Sequence, residues 1–447
     1  MDINEFTEKF QQIEIEINAF GFQDQSGEFF WDAVRYSVFN YIYQQSLGGS
    51  TLITKPSALS KLKKAIKRIV STFAQKLIIK NFKKSKKNIL LVKCSRHFNK
   101  DKWQDNIVTQ LEFEDGKYVE IETSMSRQFF FHVKYLFSYS EITLPAITTN
   151  HLETFNSAVY SIFKIKVSIN EVVCRNLAIF YAEFNFYNTL FKETNINKVF
   201  MVQNGIQKGL FKAALQQGVE VNEFQHGYIG YTHPAYSYPE LTYSETQLFL
   251  PKRLLTYSDF WHKGYYLPVV DFVEVGSGNH HIVKSFEEFN NDILVISANI
   301  YHADLASLVI SLTSVLPEAK FKYKLHPNQF ENFDEIELEF SKYKNIQVFE
   351  ADISMNECLK LSRHILCIQS TAVYEALQAG NYVYCYKRQN YNNHNNVSGL
   401  ESFTFFDNID DFVKLFTIRT SKEQFIDKSV VFFKKLSPKI LNNLSKS

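Results

Sequence analysis

At 447 residues the chain exceeds the size at which one hydrophobic core usually stops growing, which excludes a single small module and predicts two domains of roughly 200 residues each. With 45% hydrophobic and 21% charged residues, and no run approaching the roughly 18 to 20 apolar residues of a membrane span, neither disorder nor a transmembrane anchor fits. The formal net charge of +2 conceals an asymmetry, because eleven of the 49 Lys and Arg fall in residues 61–87 beside no Asp or Glu, leaving the remainder net acidic.

The start, Met1-Asp2-Ile3-Asn4-Glu5, has neither the basic nor the apolar region of a signal peptide, so the expected location is the cytoplasm. Five cysteines, odd in number and without a Cys-x-x-Cys pair, read as buried thiols and not as disulfides or a zinc cluster. Glycine supplies only 15 residues, and neither G-x-G-x-x-G nor G-x-x-x-x-G-K-[ST] occurs, so no glycine-rich phosphate loop is expected.

Residues 1–60 read as mixed helix up to a break at Gly48-Gly49-Ser50. A basic helix over 57–87 follows, in which Leu62, Ile66, Ile69, Phe73 and Leu77 recur at three- and four-residue steps, with Lys63, Lys64, Lys67 and Arg68 around the other faces. Such a helix lies on an anionic membrane or packs, solvated outside, on its own domain; nucleic acid fits less well beside an acidic remainder. Asn88–Val92 suits a buried strand, residues 100–150 give no clear pattern, and 150–194 is helical.

Lys198–Val202 is a strand closed by Gln203-Asn204-Gly205, Ile206–Gln217 a helix, and Val219–Phe224 the next strand, ending in Gln225-His226-Gly227. This β-α-β unit places polar residues past the carboxyl ends of its strands, where open α/β sheets hold ligands. Arg253–Tyr257 is a further strand before a helix near Trp261, and Val273–Gly278 closes this half. The second half alternates more regularly: a strand and loop at Asp292–Asn299, strands at Phe321–Leu325, Ile346–Phe349, His364–Ile368 and Tyr382–Tyr386, the last completing the series, and helices at His302–Val315, Ser354–Leu361 and Thr371–Ala379, with Gly380 as C-cap. Such alternation predicts α/β domains with doubly wound parallel sheets, divided into 1–285 and 286–447 across a cleft.

Ser370-Thr371 follows a buried strand and opens a helix, whose free N–H groups and hydroxyls suit a phosphate; a plain N-cap is the alternative. Glu375, one turn on, is better placed for a ribose or base. His326-Pro327 ends a strand at the same predicted edge, where the imidazole can donate to phosphate, and Asn299 lies in the loop closing the first strand of this half. At the edge of the first domain, His226 is a candidate base for an acceptor hydroxyl, Glu223 the carboxylate alternative, and Glu220 a weaker one. Neither Glu350-Ala351-Asp352 nor His280-His281 has metal-site company, and no covalent nucleophile is signalled.

Phe224-Gln225-His226-Gly227-Tyr228-Ile229-Gly230, Tyr323-Lys324-Leu325-His326-Pro327-Asn328 and Gln369-Ser370-Thr371-Ala372-Val373-Tyr374-Glu375-Ala376-Leu377 resemble the ordered motifs of bacterial surface-polysaccharide glycosyltransferases of the GT-B architecture. The His-Pro and Ser-Thr pair is similar to that of sialyltransferases, polysialyltransferases and capsule Kdo transferases, which use CMP-sugars. The Gln-His-Gly element is similar to CDP-glycerol polyol-phosphate transferases. The resemblance spans roughly residues 198–390 and implies two Rossmann-like domains. It also implies His326, Pro327, Ser370 and Thr371 at the nucleotide phosphate, Glu375 at the nucleoside, His226 on the acceptor side, no metal or other cofactor, and a glycan or lipid-linked acceptor. The Asp/Glu-Asp/Glu-Gly base motif of sialyltransferases is not found, and residues 1–150 match no known pattern. The UDP-sugar 2-epimerases share fold and His-Pro but carry Ser-Gly-Gly before paired glutamates; a non-catalytic assembly subunit is a third reading.

Overall fold

The computed structural model of the protein describes residues 1–48, 58–93, 97–99, 102–104, 118–122, 149–202, 204–268, 271–278, 291–298, 301–350, 353–388, 391–421 and 430–446. Helices α1 (Ile3–Glu16), α2 (Trp31–Ser46) and α3 (Ala58–Ser85) open the chain. Then come β1 (Ile89–Lys93), a small hairpin of β2 (His97–Asn99) and β3 (Lys102–Gln104), β4 (Tyr118–Glu122), α4 (Thr149–Phe163) and α5 (Asn170–Glu193). The first domain continues through β5 (Lys198–Val202), α6 (Lys208–Gln217), β6 (Glu220–Phe224), β7 (Arg253–Thr256) and β8 (Asp271–Glu274). Its six-stranded sheet has the order β4-β1-β5-β6-β7-β8, with every pair parallel.

The second sheet uses β9 (Ile293–Ile296), β10 (Phe321–Lys324), β11 (Ile346–Phe349), β12 (His364–Cys367), β13 (Tyr382–Tyr386) and β14 (Phe403–Phe406), in the order β11-β10-β9-β12-β13-β14, all parallel. Counted within this domain the order is 3-2-1-4-5-6, so the winding reverses between β9 and β12, and the crevice beyond their carboxyl ends is the place such a sheet offers a ligand. The crossovers carry α7 (His302–Val315), α8 (Phe333–Phe340), α9 (Met355–Leu361) and α10 (Ala372–Gln378), and α11 (Ile409–Thr420) follows the last strand. Strands β9, β12 and β13 are buried along their whole length, as apolar runs are when helices cover both faces of a parallel sheet.

Three expectations change. The strand series does not end at Tyr386: β14 pairs with β13, its Phe403 and Phe406 completing the edge of the core. The segment at Trp261 is a single 3₁₀ turn, Asp259–His262, and not a helix. In the unpatterned stretch, β4 joins β1 at the edge of the first sheet.

The chain end closes the molecule. Lys434 N–H donates to the Tyr257 carbonyl (3.1 Å), Ser277 N–H to the Lys434 carbonyl (2.8 Å) and Ser437 N–H to the Val275 carbonyl (2.8 Å). Gly276, at φ 78°, passes so near Lys435 that any Cβ there would overlap its carbonyl. The last helix, α12 (Pro438–Lys446), sets Leu441 among Ile89, Leu91, Phe200, Phe224 and Leu255, so it covers the first sheet although it follows the second in sequence. A boundary at residue 285 leaves this helix on the far side from the sheet it packs on.

Candidate functional site

The register of the second sheet sets its ligand edge. Lys324 lies beside Ile296, and Leu366 beside Val295, so β10, β9 and β12 end level. His326 and Ser370, just past those ends, have β9 between them, which sets their main chains about 10 Å apart, each able to touch one ligand but not the other. His326 is exposed at the sheet edge, and partial desolvation lowers its pKa below the ordinary value, so at neutral pH it is an uncharged imidazole. Its backbone N–H donates to Gln329 Oε1 (3.0 Å), which fixes the turn after Pro327. Asn299, the remaining candidate at this edge, lies outside the described residues, as do His280, His281, Ala351 and Asp352.

At Ser370 the structure differs from the expectation of free N–H donors. Ser370 Oγ accepts from Ala372 N–H (3.2 Å), Val373 N–H donates to the Ser370 carbonyl (3.2 Å), and Tyr374 N–H to the Thr371 carbonyl (3.1 Å). A helix as short as α10 spends its first donors in its own opening turn. What faces outward is Thr371, which is exposed and does not cap the helix through its side chain. Glu375 is buried, 8% exposed, on the inner side of the same helix.

His394 was not singled out by the sequence, since Asn392-Asn393-His394-Asn395-Asn396 carries no periodic or motif signal. It sits in the 3₁₀ segment Tyr391–Val397, is 2% exposed, and its Nε2 accepts the Ser370 backbone N–H at 3.3 Å. Burial pulls its pKa down to about 4, so the ring is neutral, and accepting at Nε2 places its proton on Nδ1. His364, wholly buried on β12, is similarly held down, to about 3, by burial and then by Arg363 and Arg419.

Below the ordinary histidine pKa of 6.5 the unfolded chain binds two protons that the folded chain refuses, so stability falls as pH falls through that value toward 4. At about pH 5 each histidine is expected to cost about 2 kcal/mol. Urea unfolding at pH 7 and at about pH 5 measures the loss; His364→Phe should recover about half of it, and equal acid sensitivity in variant and parent would refute the assignment.

In the first domain β6 delivers Gln225 to the carboxyl edge. Gln225 is fully buried: its Oε1 accepts Tyr257 N–H (3.0 Å), its Nε2 donates to the Gly227 carbonyl (2.9 Å), and its own N–H donates to Leu255 (2.9 Å). This amide clamps both sides of His226, which remains half buried at the strand end. Glu223 lies inside, with no exposure, and its Oε1 accepts the Tyr236 O–H at 2.6 Å. Glu220 begins β6 at the opposite edge of the sheet, bound to Arg253, Lys252 (3.3 Å) and Lys198 (3.8 Å). Of the three acid–base candidates, His226 alone combines the right edge with access.

The two edges meet. A Cβ on Gly227 would stand 3.7 Å from Thr371 Cγ2, so the loop after β6 lies directly against the start of α10. Tyr228 stacks with Tyr374 at 6.3 Å between centroids, and Thr232 Oγ donates to Asn393 Oδ1 at 2.9 Å. Beneath this contact the first domain buries charge: Arg35 pairs with Glu14 (2.7 Å), Lys208 with Asp32 (3.1 Å), and Arg35 also reaches the Pro234 carbonyl, fixing the Thr232–Tyr238 segment from below. Among the described residues, no three His, Cys, Asp or Glu gather into a group that could hold a metal, and no helix is long and apolar enough to cross a membrane.

Two six-stranded parallel sheets whose carboxyl edges meet at Gly227 and Thr371 make an α/β fold of the GT-B type. No protein-family model matches the sequence, and no curated protein matches it. Among solved structures, the UDP-GlcNAc 2-epimerase of Methanocaldococcus jannaschii is similar over 80% of this chain and 100% of its own, at 10% identity and a TM-score of 0.45. A glycosyltransferase from Rickettsia africae is similar over 75% of this chain and 89% of its own, at 11% identity and a TM-score of 0.40. A pneumococcal O-GlcNAc transferase in complex with UDP and GlcNAc is similar over 53% of this chain and 52% of its own, at 15% identity and a TM-score of 0.33.

Proposed function

We propose that the protein is a glycosyltransferase that moves a sugar from a nucleotide-activated donor to a hydroxyl of a cell-surface polysaccharide or lipid-linked glycan. The observation that carries this reading is the packing of Gly227 against Thr371, which brings a half-buried histidine from one sheet edge to the phosphate-type residues of the other. In a single inverting displacement, His226 takes the acceptor hydroxyl proton as the new C–O bond forms, and the bond from the anomeric carbon to phosphate breaks with its electron pair leaving on the phosphate. His326 N–H and the Thr371 hydroxyl stabilise that growing charge, with Ser370 holding the turn that presents Thr371. The buried Glu375 supports the nucleoside end.

The likeness of His326-Pro327 and Ser370-Thr371 to the motifs of CMP-sugar enzymes favours a cytidine nucleotide. Thermal-shift measurements with CMP, CDP, UDP and GDP should therefore show the largest shift with a cytidine nucleotide, equivalent to about 2.7 kcal/mol at 100 times its dissociation constant. A response to UDP or GDP alone would overturn the cytidine choice, and a response to none would overturn the nucleotide site. With donor and acceptor both present, free nucleotide should accumulate with glycosylated acceptor and be unaffected by EDTA; formation of an epimer instead would assign the fold to isomerisation.

A further inference from the structure

Helix α3 presents two different apolar stripes. The inner one, Ala74, Ile78 and Phe82, packs on the core of the first domain, with Ala74 only 1% exposed. The outer one is the stripe that the sequence periodicity picked out: Phe73 is 68% and Leu77 40% exposed. The side chains of Leu62, Ile66 and Ile69, earlier in that stripe, lie outside the described residues. At 3.6 residues per turn, Phe73, Lys76, Leu77, Lys80, Lys83 and Lys84 fall within about a third of the helix circumference. Lys83 stands 3.6 Å from Glu193, while among the described residues no carboxylate pairs with Lys76, Lys80 or Lys84. Packing within the domain thus accounts for the inner stripe and leaves the outer one unexplained.

We propose that this outer face of α3 is a docking surface for an anionic lipid bilayer, into which Phe73 and Leu77 insert while the lysines reach the headgroups. An aromatic and a branched aliphatic side chain centred among four cations on one helical face match an interface that is apolar below and negative above. Nucleic acid would use the lysines and leave the two apolar side chains in water. The proposal goes beyond the transfer reaction and does not depend on it: the surface lies on a helix that contributes no residue to the cleft.

Flotation of the full chain with phosphatidylcholine vesicles, with and without about 30 mol% phosphatidylglycerol, tests it. Binding is expected to the anionic vesicles only. K76Q/K80Q/K84Q should weaken it on the order of a hundredfold. F73S/L77S should abolish the fraction that survives salt strong enough to screen the lysines. All five substituted side chains are exposed, so both variants should keep the nucleotide-induced thermal shift of the parent. Equal binding to neutral and anionic vesicles, variants that float like the parent, or lysine-dependent binding to a duplex oligonucleotide without vesicle binding would each overturn the proposal.

Discussion

His226→Ala is expected to slow transfer by about 10²- to 10⁴-fold while leaving nucleotide affinity within about twofold of the parent. The reason is division of labour across the cleft. His226 hangs from the first sheet, held by the Gln225 amide that bonds both Tyr257 and Gly227, whereas His326 and Thr371, the proposed nucleotide contacts, hang from the second. Removing the imidazole removes the proton acceptor without disturbing the donor edge. His326→Ala should show the reverse pattern, with nucleotide binding weakened first. Glu223→Gln separates the alternative base: with the carboxylate fully buried and bonded to Tyr236, its loss is expected to lower stability more than turnover. Steady-state kinetics with separate binding titrations measure all three, and a His226→Ala enzyme with parental turnover would remove the histidine from the mechanism.

Arg35→Met is expected to cost about 3–5 kcal/mol, a large part of the total stability of an ordinary domain. Burial raises the Glu14 pKa despite the pull of Arg35, and burial also works against the guanidinium, which Glu14 nevertheless holds above its ordinary value. Two bonds from Arg35, at 2.7 and 2.8 Å, and one from Trp31 Nε1, at 2.7 Å, converge on the Glu14 carboxylate. Deleting the cation leaves that carboxylate with no exposure and one donor. The double variant Glu14→Leu/Arg35→Met should recover most of the loss, because the stranded charge leaves with its partner. Denaturant titration of the two variants measures the difference; equal stabilities would show that Arg35 acts by packing alone.

Local pattern was enough to read most of the second domain. The runs at 293–296, 364–367 and 382–386 are buried throughout because both faces of a parallel sheet are covered, and α7 begins and ends at the residues its periodicity indicates. β14 was missed because Phe403-Thr404-Phe405-Phe406 is short and stands alone in an irregular stretch, and only its pairing with β13 makes it a strand. Along α3, the periodicity identified an apolar stripe correctly but not which side it faces, since helical spacing carries no information about where the rest of the domain lies.

Sequence alone determined the alternation of strands and helices, the polar residues that stop the strands at 226, 326 and 370, and the concentration of positive charge in one helix, because each depends on neighbours along the chain. Tertiary structure decided the rest. It brought Gly227 against Thr371, placed His394 behind Ser370, sealed Glu223 inside and turned Phe73 outward, because each of these depends on groups distant in sequence that only folding brings into contact, and on which faces are left to water.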